Sequence, residues 1–152
     1  MTTFVLRRAP GSPALLPSAV RRIADAMLLE LELGHAELSV LLSNDREIHA
    51  LNLEHRNKDK PTDVLSFPAA EADPETGTPY LGDILISIPR AKQQAEAAGH
   101  SLEAEVQLLV VHGTLHLLGH DHAAAREKAR MWKAQAEVMS KLGLSHVKIQ
   151  DT

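Results

Sequence analysis

The stretch Val110 to His122, VVHGTLHLLGHDH, constrains this chain more than any other. His112 and His116 are four apart, so on a helix they project from one face, one turn above the other. Two imidazoles placed that way can share one metal ion. Gly119 follows three residues later and suits the left-handed turn that stops a helix, after which His120, Asp121 and His122 double back. A third imidazole then reaches the same ion from a direction the helix cannot offer. Three histidines leave a tetrahedral ion one vacancy, the arrangement of a catalytic zinc site and not of a closed structural one.

The spacing His112, His116, Gly119, His122 is that of the metzincin zinc proteases with one difference: Gly113 stands where those enzymes carry the glutamate that deprotonates the metal-bound water. The ligand geometry follows from the spacing, but standard peptide cleavage does not. For the third ligand, His122 is preferred over His120, which lies four after His116 but beyond the glycine that breaks the helix. Asp121 reads as a turn residue or as the partner of a ligand.

Composition excludes several classes. A chain of 152 residues with 44% hydrophobic and 24% charged side chains is a globular domain, not a disordered or fibrous one. There is no cysteine, so disulfides are excluded and any zinc is held by His or carboxylate, which fits a reducing cytoplasm. The opening residues MTTFVLRRAPGSPALLP hold no sustained apolar run behind basic residues, and the apolar stretch Leu108 to Leu118 is too short and too interrupted to span a bilayer. The formal charge of −4 argues against gripping a polyanion over the whole surface. Any nucleic acid is met locally, and the best patch is Glu54 to Lys60, where Arg56, Lys58 and Lys60 outnumber Glu54 and Asp59.

Hydrophobic periodicity predicts a strand over Phe4–Leu6, an amphipathic helix over Ser18–Leu33 ended by Gly34, and a strand over Glu37–Ser43. Asn44 with Glu47 caps a helix from Asp45 to about Glu54, and Pro61 breaks any continuation. Strands are expected at Thr62–Phe67 and Asp83–Ile88, antiparallel across an acidic loop from Ala69 to Tyr80. Pro89 opens a helix that Gly99 ends, and Ser101 caps the motif helix, which is apolar on nearly every side and therefore buried. Ala125, Ala129, Trp132, Ala136 and Met139 form the stripe of a last helix closed by Gly143. The expected fold is α+β (α/β): one domain, a small mixed sheet of about four strands, and about five helices with the metzincin-like zinc helix at the centre.

Beyond these patterns, residues 112–122, H-G-T-L-H-L-L-G-H-D-H, resemble the signature H-G-x-L-H-L-x-G-Y-D-H of the YbeY-like endoribonucleases, also called rRNA maturation factors, with His120 in the tyrosine position. Leu51, Asn52 and Arg56, the run TDVLSFP from Thr62 to Pro68, and GDILI from Gly82 to Ile86 match further blocks of that family in order. The resemblance implies a single domain over residues 1–152 holding one Zn2+ through His112, His116 and His122, with Arg56 functionally important. It also implies cleavage of single-stranded RNA in maturation of the small-subunit rRNA 3′ end and in ribosome quality control. The partners it implies are rRNA, the small ribosomal subunit and its assembly factors, with no role on DNA or membranes.

Arg56 is the expected phosphate clamp, since a guanidinium fork matches two phosphate oxygens; its bland reading is a structural partner of Asp63 or Glu54. With Gly113 in the base position, the proton can pass to phosphate, to Asp121 or to His120. Asp63 and Asp83 read as strand-end hydrogen-bonders, and His35, His49, His55, His100 and His146 as surface or packing residues. Two rivals stay open: a zinc hydrolase of another substrate class, and a non-catalytic ribosome-assembly factor with zinc as a staple.

Overall fold

The computed structural model describes residues 2–7, 17–30, 36–69, 80–118, 125–141 and 143. The chain runs β1 (Thr2–Arg7), α1 (Pro17–Glu30), β2 (Glu37–Ser43), α2 (Asp45–Arg56), β3 (Val64–Pro68), β4 (Tyr80–Ser87), α3 (Ile88–Ala98), α4 (Leu102–Leu117) and α5 (Ala125–Lys141). Residues 31–33 of the expected first helix, Gly34, His35, residues 70–79, the expected bend at residues 119–122, and His146 lie outside the described residues.

The strands form a sheet of order β1-β2-β4-β3, with β1, β2 and β4 parallel and β3 antiparallel to β4. Leu38, Val40 and Leu42 of β2 and Ile84 and Ile86 of β4 join one core with buried residues of α1, α3, α4 and α5. Leu41, Leu65 and Leu85 join a second, smaller core with Ile48 of α2. Both faces of β2 and β4 are thus covered, which is why ELSVLLS and DILIS read as nearly unbroken apolar runs. Among the described residues no helix is long and apolar enough to cross a membrane.

Most element ends follow the capping residues. Asn44 accepts from the Glu47 N–H at 2.9 Å and Ser101 from the Ala104 N–H at 3.1 Å. Helix α2 ends at Arg56, two residues past the expected Glu54: Asn57 takes a left-handed φ of 56° and turns its N–H back to Asn52 and Leu53. Asparagine tolerates that conformation because its short polar side chain can bond locally. Its N-terminal end is tied to α3, where Ser87 Oγ donates to Asp45 at 2.6 Å and Arg90 Nε at 3.3 Å. Burial alone would raise the Asp45 carboxyl, but these two partners hold it below its ordinary range.

Strand β4 begins at Tyr80, three residues before the expected Asp83, because a bulge inserts there: Glu37 pairs with Tyr80 and Ser39 with Asp83. Gly82 supplies the bulge with a φ of 139°, and a Cβ on it would run into the carbonyl oxygen of Phe67. The bulge brings the Tyr80 hydroxyl to Asp83 and to Ser39 Oγ. Burial first, and the Asp83 carboxylate next, push that phenol up to about 12.

The stripe expected on α5 holds in part. Met139 is buried, but Ala129 and Ala136 are exposed, and Gln135 and Val138 join Met139 on the face turned inward. The side chains of Ala125 and Trp132 lie outside the described residues. Alanine buries too little apolar area to mark a face, so larger neighbours decide which side turns inward.

Candidate metal centre

Helix α4 packs against α1, α3, α5, β3 and β4. It buries Val106, Leu108, Leu109, Val110, Val111 and Leu115 and leaves His112 and His116 half-buried near its C-terminal end. The two rings sit edge to face, their centroids 4.7 Å apart and their planes at 65°, with the two Nε2 atoms 3.2 Å from each other. Zinc binds imidazole nitrogen at about 2.0–2.1 Å, so two tetrahedral nitrogen ligands lie roughly 3.3 Å apart. The pair therefore fits one such ion. The last-turn carbonyls of a helix also favour a cation at this end.

On its other side, the His112 ring has Nδ1 2.9 Å from Gln135 Oε1 of α5. A carbonyl-type oxygen only accepts, so Nδ1 donates.

What holds the pair in place is the close seating of α4 on β3 and β4. A Cβ at Gly113 would lie 2.9 Å from Ile84 Cγ2 and 3.2 Å from Ser66 Oγ, which donates to the Gly113 carbonyl at 3.2 Å. A Cβ at Gly82 would lie 2.9 Å from Leu117 Cδ2, so the bulge glycine lets the end of α4 down onto the sheet. The runs TDVLSFP and GDILI thus supply the surface on which the histidine helix rests. Position 113 faces that sheet, so a side chain there is crowded by Ile84 and Ser66.

Among the described residues no three His, Cys, Asp or Glu side chains gather as a metal site. The expected third ligand, His122, lies outside those residues together with His120 and Asp121. Arg56 is the last residue of α2 and is exposed, as are Lys58 and Lys60. Among the described residues no ion pair joins Arg56 to Asp63 or Glu54, so its bland reading finds no support. Neighbouring His55 meets the Phe67 ring edge-on at 5.2 Å, and His49 pairs with Asp59 at 2.7 Å on the surface. Asp63, just before β3, accepts from Thr62 Oγ1 at 3.3 Å as the strand-end partner expected, whereas Asp83, which accepts from the Tyr80 hydroxyl, lies inside β4 and not at its end.

His100 is no ordinary surface residue: its Nε2 lies 3.3 Å from Glu105 Oε2, with both side chains nearly enclosed. Burial pushes the Glu105 carboxyl above the usual carboxylate range, against the lowering pull of His100 and with an added push from Asp63. Glu105 thus holds its proton more tightly folded than unfolded. That contribution to stability is complete at acid pH and is lost as pH rises through the raised value. Glu105→Gln is expected to flatten this loss, so that variant minus wild-type unfolding free energy grows from mildly acidic to neutral pH in urea titrations.

The sequence profile of the family Endoribonuclease YbeY matches residues 12–143. The chain belongs to that family. A family member from Halalkalibacterium halodurans, named Endoribonuclease YbeY, is 48% identical over 120 residues, covering 74% of this chain and 76% of its own. A Sulfurihydrogenibium relative of the same name is 46% identical over 142 residues, 91% of each chain. The solution structure of a Thermotoga maritima protein superposes with a TM-score of 0.56 at 25% identity over 99% of both chains. The histidine helix and the two sheet runs beneath it all fall inside the matched span.

Proposed function

We propose that this chain is a zinc-dependent endoribonuclease specific for single-stranded RNA, acting in small-subunit rRNA 3′-end maturation and ribosome quality control. The reading takes residues 1–152 as one YbeY-like domain in the cytoplasm, with the small ribosomal subunit and its assembly factors as partners. The observation that carries it is the convergence of the His112 and His116 Nε2 atoms within a chain of the Endoribonuclease YbeY family.

In this reading His112, His116 and His122 hold one Zn2+ as neutral imidazoles. When bound, zinc supplies an activated water near neutral pH. The close seating of α4 on the sheet at Gly113 fixes the helix that carries both rings. Exposed Arg56 meets the phosphodiester, where its fork offsets the negative charge that repels a nucleophile. The proton is accepted by the phosphate itself or by His120 or Asp121. The crowding at position 113 counts against a peptidase, since it leaves no room there for a catalytic carboxylate.

Metal-loaded protein incubated with single-stranded RNA, and separately with duplex RNA, DNA and peptide, tests the reading. Cleavage confined to single-stranded RNA and lost in His112→Ala supports it; cleavage unchanged in that variant points to a contaminant and to the assembly-factor role. Arg56→Ala is expected to keep its zinc while losing about 10- to 100-fold in RNA cleavage, the worth of a charge-assisted hydrogen bond. Analysis of product ends separates direct hydrolysis from attack by the ribose 2′-hydroxyl, which leaves a cyclic phosphate.

A further inference from the structure

We propose that Gln135 is a positioning residue for the metal, accepting the Nδ1 proton of His112 so that this ring presents its Nε2 lone pair beside His116. The inference rests on the reading that His112 and His116 hold the ion.

Three observations carry it. Gln135 is 2% exposed, among the largest fully buried side chains of the described residues, and lies on the inward face of α5 beside Val138 and Met139. A buried amide is costly unless its polar atoms are paired, and an aliphatic residue there would complete the apolar face of the helix. The amide oxygen instead lies 2.9 Å from His112 Nδ1. An unrestrained neutral imidazole carries its proton on either nitrogen, and an acceptor at Nδ1 selects the form whose Nε2 can bind a metal. The selected nitrogen is the one 3.2 Å from His116 Nε2, at the point where the pair fits an ion. Because the amide is neutral, it fixes the ring's tautomer and tilt without adding negative charge to the site. Helix α5 thereby becomes part of the centre, although no metal-binding residue type lies at position 135.

The test compares full-length wild type, Gln135→Leu, Gln135→Glu and His116→Ala. Zinc affinity is measured by chelator competition, and the tautomer of the metal-free His112 ring by long-range proton–nitrogen NMR. Gln135→Leu is expected to weaken zinc by roughly 10- to 100-fold, the usual range for loss of such a partner, and to move the His112 proton from Nδ1 toward Nε2. Gln135→Glu keeps an acceptor, so it is expected to leave the His112 proton on Nδ1 and to bind zinc at least as tightly as wild type. A melting temperature of the metal-free protein confirms folding; should the leucine variant not fold, Gln135→Asn, whose shorter side chain withdraws the acceptor, takes its place. Zinc affinity and tautomer both unchanged in the leucine variant overturn the proposal and leave the metal reading standing. Zinc bound as tightly by His116→Ala as by wild type overturns the metal reading, and the tautomer shift in metal-free protein still reports on Gln135 alone.

Discussion

Alanine at His116 is expected to abolish stoichiometric zinc binding and to reduce RNA cleavage by about a thousandfold. The magnitude follows from the several kcal/mol that a bound metal contributes to charge stabilisation, at 1.36 kcal/mol for each factor of ten. The fold should survive, because His116 is half-buried in the last turn of α4 and alanine is the strongest helix former. Circular dichroism and metal analysis of the purified variant, set beside its cleavage rate, check all three statements. A variant that keeps both its zinc and its rate would remove the pair at 3.2 Å from the mechanism.

Restoring the metzincin glutamate, Gly113→Glu, is expected to damage the fold instead of creating a peptidase. Even a methyl group at this position meets Ile84 Cγ2 at 2.9 Å, and Ile84 is wholly buried within the sheet and cannot swing aside. Overpacking of this kind costs about 1–3 kcal/mol, which outweighs the ~1 kcal/mol that replacing a helical glycine would otherwise contribute. The net cost for Gly113→Ala is up to about 2 kcal/mol, which for a chain of this size lowers the melting temperature by up to roughly 8 °C. Glutamate adds the burial of a carboxylate against Ser66 and should exceed the alanine effect. Differential scanning calorimetry of both variants gives the ordering, and an alanine variant more stable than wild type would show that α4 does not seat this closely.

The strands and helices were legible wherever a physical signal was local. The aliphatic run Glu37–Ser43 became β2 with those bounds, and Asn44, Pro89 and Ser101 act at the helix starts expected of them. Local signals misled where a second element intervened. The bulge at Gly82 lengthens β4 toward Tyr80 because Ser39 and Asp83 receive the phenol, a pairing across 41 residues for Ser39. Helix α2, by contrast, starts at the expected Asp45 and ends at Arg56, two residues past the expected Glu54.

The site shows the same division. The spacing of His112 and His116 already required that they share a helical face, since the helix repeat is set by backbone geometry alone. The absence of a base at Gly113 was visible as a letter, but the crowding by Ile84 and Ser66 beneath it belongs to the packing of α4 on the sheet. Gln135 was invisible among polar residues of an amphipathic helix. A warning existed in the letters, since Met131, Val138, Met139 and Leu142 recur around it at helical spacing.

The order of residues thus settled periodicity, caps and the pairing of two imidazoles, because each depends on contacts within a turn or two of backbone. Which face of α5 turns inward, what sits under Gly113 and which group accepts from His112 depended on atoms brought together across tens of residues. Those choices are made by burial and close packing, which act on neighbours in space regardless of their separation along the chain.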